Sequence, residues 1–521
     1  MLESGELRKS RGRFFLPSGA GSKKGKRKKR SLREDRELGM RMLCEEHGLQ
    51  REFPEDLLKD AESIANREIL LEGTREDLSH LPIIAIDPHD ARDHDDAISL
   101  ETLKDGTRRL GIHIADVSEY LPPNSRLDQE AKRRGNSTYF PFETIPMLPA
   151  SLSGDTCSLK SGSAKYALTL FLDFDSRGRQ SGSRLLESLL SIHRDYSYEE
   201  AEELLEGNSP DSALLRSMQE LSSQLSEQRE KEGALRFEMP ETRVKEEGGK
   251  ILGFEKKPLL QTHRLVEEFM LAANREVARI MQREKLPGLY RIHKRPDDED
   301  VKELRHALSL AGIAWNPTLP PRPAEYRDLA KRIQEREDRV PLFFRLLRSL
   351  QKAKYSSSAS LHFGLAWTDY LHFTSPIRRY ADLQVHRSLK SWLRGQTNRK
   401  QGELKSLAEH LSETEILSLQ AERDSMRLEM VLWARQHLGD VHEATVLGVR
   451  EGGLIVQLPQ SGAEGFLPAS QLGGEWFHFE EDRELLRGEF SGKVFAAGDS
   501  LRLQIVAASL KTRRVHFFLV E

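Results

Sequence analysis

Residues 86–100 read IDPHDARDHDDAISL and crowd five aspartates into the first eleven positions. Carboxylates about 4 Å apart repel each other by several kcal/mol at an effective dielectric of about 20, so Asp87, Asp93, Asp95 and Asp96 call for a positive partner. Hard oxygen ligands favour Mg²⁺, Mn²⁺ or Ca²⁺. The pattern predicts a site for one or two divalent ions, which in phosphate-cleaving enzymes activate water and stabilise the leaving oxygen.

Three other interpretations of this segment are weaker. A calcium hand counted from the first aspartate has Arg92 at the glycine position and Ile98 at the glutamate position. A zinc site would need further Cys or His at ligand spacing beside His89 and His94. A solvated acidic turn fits less well because the cluster follows the apolar run at 81–86, and Asp116 follows a second apolar run.

A second segment, HFTSPIRRYADLQVHRSL, predicts a helix with Ser375 as N-cap and Pro376 at its first position. Arg378 and Arg379 then fall in the first turn, where the helix dipole disfavours cations by about 0.3–1 kcal/mol. Free amides and two guanidinium groups at one helix start would form a phosphate-binding site. The alternative is that each arginine pairs with a nearby acid such as Asp382.

Strands and helices must bring these segments together. Apolar residues at 81–86, alternating Leu110, Ile112 and Ile114, and the run at 165–178 predict strands. Residues 197–232 and the long patterns from residue 258 onward predict helices. The fold class is therefore α+β, with a mixed sheet and helices in the larger domain.

The last eighty residues contain short alternating strands punctuated by glycine, which predict a small closed β-barrel beginning near Gly439. By itself such a barrel could serve as a protein-interaction module. The chain divides into a basic, disordered tail (1–40), a helical linker or reduced N-terminal region (41–80), a catalytic domain (81–435) and the barrel (439–521).

Composition indicates a multidomain chain without a membrane span. The 521 residues are 31% charged and 37% hydrophobic, and no apolar run approaches the ~20 residues of a membrane helix. Cys44 and Cys157 have no partner spacing, which fits a reducing cytoplasm. Residues 8–33 carry twelve Lys or Arg and no acid. They can solubilise the chain or bind a polyanion.

The motifs AIDPHDARDHDDAISL, GIHIADVSEYL, GNSTYFPFETIPMLPASLS, HRLVEEFMLAAN and HFTSPIRRYADLQVHRSL occur in this order. Together they resemble the RNB catalytic domain of ribonuclease II, ribonuclease R and the Dis3-like nuclease of the exosome. The barrel resembles the RNA-binding OB-fold of the ribosomal S-one type that follows that domain. The resemblance covers roughly residues 50 to 521.

The resemblance implies processive 3′→5′ hydrolysis of single-stranded RNA to nucleoside 5′-monophosphates, with Mg²⁺ (or Mn²⁺) as cofactor. Carried over by position, Asp87 and Asp96 match metal ligands, and Asp93 matches a further acidic member of the metal site. Asp95 matches the aspartate on which cleavage depends. Arg378 matches an arginine that contacts phosphate near the scissile bond.

The remaining carried-over residues concern the nucleotide and the RNA strand. Tyr139 matches an aromatic residue that packs on a 3′-terminal base, and Glu422 aligns with a glutamate near the nucleotide. Arg379 is expected to support Arg378, while Glu268 and Asn274 fall in a helix expected to line the RNA channel. The expected partners are RNA 3′ ends, and the expected state is a cytoplasmic monomer.

The sequence also departs from the family. About 80 residues before the catalytic domain cannot hold the two cold-shock domains that are usual there, so we expect at most a reduced piece, around GRFFLP. We also expect no lysine-rich segment of the kind that follows the barrel in ribonuclease R. A non-catalytic RNA-binding regulator and a metal-dependent DNA nuclease are the rival interpretations.

Overall fold

The computed structural model contains helices, a large mixed sheet and a C-terminal barrel. Most of the predicted basic tail, including the block at 23–30, lies outside the described residues. No helix among the described residues is long and apolar enough to cross a membrane. The structure describes residues 8–10, 13–15, 31–71, 73, 75–236, 242–336, 339–396 and 403–520.

Helices surround the sheet and join it to the barrel. The described α-helices are α1 (Leu32–His47), α2 (Glu55–Ala65), α3 (Val117–Tyr120), α4 (Arg126–Arg134), α5 (Tyr198–Leu205), α6 (Pro210–Glu232), α7 (Gln261–Arg283), α8 (Asp298–Leu310), α9 (Pro323–Gln334), α10 (Arg339–Arg348), α11 (Tyr380–Leu393) and α12 (Leu404–Gln436). A π-helical segment covers Ser151–Thr156, and short 3-10 helices cover Phe363–Leu365, Ala469–Gln471 and Glu481–Arg483.

Helix α1 begins inside the range that the sequence assigned to the tail. Ser31 and Glu34 form a capping box: the Ser31 amide donates to Glu34 Oε2 (2.7 Å), and the Glu34 amide donates to Ser31 Oγ (3.3 Å). The left-handed Gly48 (φ 66°) ends the helix. Residues 32–40 are therefore helical, and the tail boundary at residue 40 was wrong because the basic run obscured the capping signal.

The strands form one large sheet, one barrel and several small sheets of two or three strands. They are β1 (Arg8–Ser10), β2 (Arg13–Phe15), β3 (Glu76–Asp77), β4 (Ile84–Asp87), β5 (Asp96–Thr102), β6 (Arg108–Ala115), β7 (Thr138–Tyr139), β8 (Thr144–Ile145), β9 (Ala164–Phe174), β10 (Gln180–Ser191), β11 (Arg194–Ser197), β12 (Thr242–Glu247), β13 (Lys250–Lys256), β14 (Tyr290–Ile292), β15 (Lys354–Ser356), β16 (Val441–Arg450), β17 (Gly453–Gln457), β18 (Glu464–Pro468), β19 (Phe477–Glu480), β20 (Leu485–Gly488), β21 (Val494–Phe495), β22 (Ser500–Ser509) and β23 (Arg514–Leu519).

The large sheet is mixed and buried on both faces. Its order is β11-β4-β5-β6-β9-β10-β3, with the outer pairs β11–β4 and β10–β3 parallel and the inner pairs antiparallel. Leu110, Ile112 and Ile114 pack with α6 and α7 on one face, as their alternation predicts. The other face of the sheet packs against α2, α11 and the π-helical segment. The predicted α+β class is confirmed.

The C-terminal strands close into the predicted barrel, in the order β16-β17-β18-β23-β22. Strands β19, β20 and β21 form a separate three-stranded sheet beside it. The β12–β13 hairpin of the larger domain contacts the barrel through the Phe254 amide, which donates to the Ser461 carbonyl (2.5 Å). The hairpin, α12 and the barrel share one apolar core, so the barrel is seated firmly on the larger domain.

Candidate active site

Two neighbouring strands position the outer aspartates of the cluster. Strand β4 ends at Asp87 and strand β5 begins at Asp96, and the strands pair antiparallel with Ile84 opposite Ile98. The connecting loop is held by Ser158, whose Oγ accepts the amide of His94 (3.0 Å) and donates to the carbonyl of Arg92 (2.9 Å). We call Asp87, Asp93, Asp95 and Asp96 the aspartate cluster.

Asp95 is the most buried member of this cluster, with 4% of the residue exposed. Its Oδ1 accepts the backbone amide of Ile377 at 2.7 Å, and its Oδ2 lies 3.5 Å from Nε of Arg378. Burial raises the pKa of Asp95 well above its usual value, although Arg378 opposes that shift. A buried carboxylate with one amide donor and one loosely placed guanidinium is incompletely neutralised.

The outer aspartates show the same shortage of positive charge. Burial and the charges of Asp96 and Asp93 raise the pKa of Asp87 to about 8. Burial also raises the pKa of Asp96, to about 6, against the opposing charges of Arg378 and Arg379. These raised pKa values indicate that the cluster is electrostatically strained when fully ionised.

The donor set of the cluster fits a divalent cation. Oδ2 of Asp87 and Oδ2 of Asp95 are buried and have no hydrogen-bond partner among the described residues. Such oxygens cost free energy unless something compensates for them. Several carboxylates without matching cations are the hard oxygen ligands that Mg²⁺ and Mn²⁺ prefer.

His94 is buried beside Asp87. Its Nδ1 lies 3.3 Å from Asp87 Oδ2. Burial and the charge of Lys160 lower the pKa of His94, so the imidazole is neutral at neutral pH. His89, by contrast, is exposed. The two histidines therefore do not act together as ligands in this arrangement.

The arginine-bearing segment approaches the aspartate cluster as a loop, which we define as residues 375–379 and call the arginine loop. The predicted helix start at Ser375 was wrong: residues 376–378 form a turn, and α11 begins at Tyr380 with Arg379 as N-cap (φ −135°, ψ 121°). Backbone pairing with a distant segment keeps Arg379 extended, because the Tyr380 amide donates to the carbonyl of Gly135 (2.9 Å).

The two arginines of this loop have different surroundings. Arg379 forms two 2.8 Å hydrogen bonds with the buried carboxylate of Asp382. Arg378 donates to Ser375 Oγ (3.2 Å), and 45% of its side chain is exposed. Arg379 therefore pairs with Asp382, as the alternative interpretation predicted. This geometry favours a role for Arg379 in supporting Arg378. Arg378 can reach a phosphate.

Tyr139, at the end of β7, is tied to two predicted site residues. Its hydroxyl donates to Asp93 Oδ2 (3.0 Å), and its amide donates to Glu422 Oε1 (2.9 Å). Burial of the hydroxyl raises the pKa of Tyr139, so the phenol is neutral and donates. Since 37% of Tyr139 is exposed, the ring can accept a stacking partner.

Strand β7 and the arginine loop are joined by backbone hydrogen bonds. The amide of Ser137 donates to the carbonyl of Arg378 (2.9 Å), and Asn136 forms an isolated antiparallel bridge with Arg379. The aromatic residue and the exposed arginine thus lie on two segments that share one backbone network.

The predicted RNA contacts of Glu268 and Asn274 are not favoured by the structure. Glu268 is 5% exposed and forms a two-pronged ion pair with Arg229. Asn274 is 4% exposed, and its Oδ1 accepts the amide of Phe373 (2.8 Å). Both side chains point into the protein, Glu268 towards α6 and Asn274 towards the 370–373 segment. Their geometry supports a structural role.

Asp116, which follows the second apolar run, belongs to a different group of carboxylates. We call Asp116, Glu119 and Glu187 the Asp116 cluster, and their carboxylate oxygens lie within 4.8 Å of one another. Lys390 Nζ lies 2.7 Å from Asp116 and 2.6 Å from Glu119, and Arg75 also pairs with both. Burial opposes the ionisation of Asp116, but Lys390 and Arg75 outweigh it and hold its pKa below the usual range.

Two features of the site were not found from the sequence. The Ile377 amide on Asp95 is a backbone group, so no side chain announces it. Tyr198 stacks on His263 with ring centroids 3.9 Å apart. Ser197 pairs with Asp87 across β11 and β4, so Tyr198 begins α5 next to the end of β4. Burial and the charges of Asp96 and Asp87 raise the pKa of Tyr198. The signal available for it was a tyrosine directly after the capping residue Ser197.

Comparison with known proteins gives a consistent picture. Residues 75–395 match the RNB domain family, and residues 435–517 match the S1 RNA binding domain family. Ribonuclease R of Thermotoga maritima is 36% identical over 487 residues, which is 90% of this chain and 68% of that protein. This chain spans 59–68% of the length of that protein and of the curated ribonuclease R relatives from two Vibrio species and Escherichia coli.

Solved structures show the same fold. Mycoplasma genitalium RNase R, in complex with ribose-methylated single-stranded RNA, superimposes with a TM-score of 0.86 at 24% identity, covering 94% of this chain and 78% of that one. Yeast Ssd1, described as a pseudonuclease, superimposes with a TM-score of 0.69 at 21% identity, covering 86% of this chain and 58% of that one. The fold therefore occurs both in a ribonuclease and in a pseudonuclease, so the residues of the site must distinguish the two.

Proposed function

Since this chain belongs to the RNB family, we propose that it is a 3′→5′ exoribonuclease that hydrolyses single-stranded RNA processively to nucleoside 5′-monophosphates. One observation carries the proposal. The aspartate cluster keeps all four carboxylates, and two of their oxygens are buried without a hydrogen-bond partner among the described residues. A pseudonuclease has no need to maintain such a costly arrangement.

The cofactor that fits this cluster is a divalent cation, Mg²⁺ or Mn²⁺, held by Asp87, Asp96 and Asp93. When bound, such an ion supplies a water nucleophile at neutral pH and stabilises charge on the phosphate oxygens. Binding would also relieve the repulsion that raises the pKa values of Asp87 and Asp96.

The chain's own residues supply orientation and charge. Arg378 is exposed enough to contact the scissile phosphate and offset the negative charge that develops there. Asp95 holds the guanidinium of Arg378 and the Ile377 amide in place. The overall step adds water across the phosphodiester, so the 5′-phosphate leaves on the terminal nucleoside and the shortened RNA keeps a 3′-hydroxyl.

Tyr139 supplies the stacking surface for a base near the 3′ end. Glu422 acts through it, because its carboxylate holds the amide of Tyr139 (2.9 Å). The barrel, which matches a family of RNA-binding domains, would hold the strand upstream of the site. A monomeric state, a cytoplasmic location and the role of the basic residues 8–33, either in solubility or in polyanion binding, stay predictions from the sequence.

The experiment that tests this proposal is a time course on 5′-labelled single-stranded RNA with Mg²⁺. A DNA strand of the same sequence and the Asp95→Asn variant serve as controls. We expect mononucleotide release and a short limit product from RNA, sparing of DNA, and binding without cleavage by Asp95→Asn. Intact RNA bound equally by both proteins would instead identify a non-catalytic RNA-binding protein, and cleavage of the DNA would identify a less selective nuclease.

A further inference from the structure

The arginine loop is held at both ends by one carboxylate. Oδ1 of Asp382 accepts the amide of Ser375 (2.8 Å), at the start of the loop. The same carboxylate accepts Nε and Nη2 of Arg379 (both 2.8 Å), at the end of the loop. The side chain of Asp382 therefore spans the five residues from Ser375 to Arg379.

The groups of the arginine loop that contact the aspartate cluster lie between those two ends. The Ile377 amide donates to Asp95 Oδ1 at 2.7 Å, and Nε of Arg378 lies 3.5 Å from Asp95 Oδ2. Ile377 itself is fully buried, so the turn has little freedom to rotate. A shift of either end of the loop would change the distance between the Asp95 carboxylate and the Arg378 guanidinium.

The surroundings of Asp382 suit a fixed anion. The carboxylate is completely buried and lies in the first turn of α11, where the helix dipole favours negative charge. The chain before the loop is also clamped: Asn274 accepts the Phe373 amide (2.8 Å), and His386 Nε2 lies 2.8 Å from the Phe373 carbonyl. Backbone bonds also hold the loop, because the Arg379 amide donates to the Ser375 carbonyl and the Ser137 amide donates to the Arg378 carbonyl (both 2.9 Å). Asp382 adds a side chain that binds both loop ends.

We propose that Asp382 is a positioning residue for RNA hydrolysis. It holds the arginine loop so that the Ile377 amide fixes Asp95 and the Arg378 guanidinium faces the scissile phosphate. Asp382 itself touches neither the substrate nor the cofactor. The kinetic part of this inference rests on the proposed exoribonuclease activity, whereas the structural part does not.

The test compares Asp382→Asn with Asp128→Asn in the full chain. Asp128 is a matched control because it is also buried (4% exposed) and also binds α11, accepting hydrogen bonds from the Tyr380 hydroxyl (2.8 Å) and Arg387 (2.7 Å). Its hydrogen bonds to described residues reach Asn124, Ser125, Tyr380 and Arg387, and none of these lies in the arginine loop. A double variant, Asp382→Asn with Arg379→Met, guards against misfolding because it avoids leaving an unpaired buried guanidinium.

Three quantities would be measured for each variant: amide hydrogen exchange of the peptide 373–379, single-turnover cleavage of 5′-labelled RNA with Mg²⁺, and RNA affinity without metal. For Asp382→Asn and the double variant we expect exchange about tenfold faster and cleavage about 10²-fold slower, the scale for a catalytic group displaced by about 1 Å. RNA affinity should change less than about threefold, since the binding surface is intact. Asp128→Asn should lower thermal stability and leave exchange and cleavage near wild type.

Unchanged exchange in both Asp382 variants would overturn the inference, as would faster exchange with normal cleavage. Equal losses of cleavage in Asp382→Asn and Asp128→Asn would also overturn it, because general weakening of α11 would then explain both. An inactive wild-type protein would overturn the proposed function instead. In that case the exchange data would still decide whether Asp382 holds the loop.

Discussion

Two acidic clusters lie close to the same sheet, and the repulsion between their carboxylates is compensated to different extents. In the Asp116 cluster, Lys390 and Arg75 lie within 2.7 Å of carboxylate oxygens. In the aspartate cluster, the nearest cation is Arg378, at 3.5 Å from Asp95. The pKa of Asp116 is accordingly lowered, whereas those of Asp87 and Asp96 are raised.

The difference shows that closeness of carboxylates does not by itself identify a metal site. The Asp116 cluster brings three carboxylates within 4.8 Å, yet protein cations already neutralise it. The carboxylates of the aspartate cluster are less closely spaced, but protein cations do not neutralise them fully. A bound metal ion would therefore stabilise their charged forms. The Asp116 cluster is a structural ion network that joins α11 to the sheet, and the aspartate cluster is the one that we propose as the reactive site.

The largest expected effect comes from removing one charge from each cluster. Asp87→Asn should slow RNA hydrolysis by roughly 10³-fold or more, because several kcal/mol of metal-derived stabilisation is lost. Asp116→Asn should keep hydrolysis within a fewfold while lowering the melting temperature. Cleavage rates and thermal melts of both variants check this. If Asp116→Asn abolished hydrolysis in folded protein, the division between the clusters would be wrong.

Removing a cation from the Asp116 cluster should cost stability. Lys390→Met leaves buried carboxylates short of a partner, and breaking a buried pair costs roughly 3–5 kcal/mol. We expect the lower end because Arg75 and Arg394 remain nearby. Chemical denaturation measures the change. In the double variant Lys390→Met with Asp116→Asn the losses should be less than additive, and full additivity would argue against a shared network.

The pH dependence of stability should differ between the clusters in metal-free protein. The folded-state pKa of Asp87, about 8, lies above the value in the unfolded chain, so Asp87 favours folding at low pH and loses that contribution as pH rises towards 8. Asp87→Asn should therefore become progressively more stable than wild type between pH 5 and pH 8. Asp116 has a lowered pKa, so its contribution is present across this window and is lost only in acid. Asp116→Asn should show a nearly constant deficit in denaturant midpoint over the same range.

The smallest effects come from the hydroxyl donor of each cluster. Tyr139→Phe removes the hydrogen bond to Asp93 but keeps the ring, so we expect a fewfold change in cleavage rate and an unchanged melting temperature. Ser118→Ala removes the 2.6 Å hydrogen bond to Asp116 and should cost roughly 1 kcal/mol of stability with normal cleavage. Parallel rate and melting measurements distinguish these patterns. A lower melting temperature for Tyr139→Phe would show that Asp93 serves stability as well.

The sequence predicted the parts of the fold that depend on local pattern. Alternation identified the strand with Leu110, Ile112 and Ile114, and glycine-punctuated strands identified the barrel. The aspartate cluster was predicted because its carboxylates are crowded together directly after an apolar run, and the family resemblance marked Asp87 and Asp96 as metal ligands. These features are encoded within a few residues, so one sequence suffices to read them.

Features that depend on distant partners could not be predicted in this way. The extended Arg379 results from pairing with residues 135–137, more than two hundred positions away. Asp116 resembles a ligand until Lys390 is seen beside it. Asn274 occupies a polar position on a helix, and only the structure shows that it binds the Phe373 backbone. Long-range packing therefore decided these roles.

The backbone bridge between strand β7 and the arginine loop has a mechanical consequence. The Ser137 amide donates to the Arg378 carbonyl, which couples the backbone two residues before Tyr139 to the backbone of Arg378. For an RNA strand whose terminal base stacks on Tyr139, this coupling would fix the distance from the stacked base to the phosphate at Arg378. This distance would be the same in every catalytic cycle, whatever the identity of the base. Each step of degradation would then shorten the RNA by the same length.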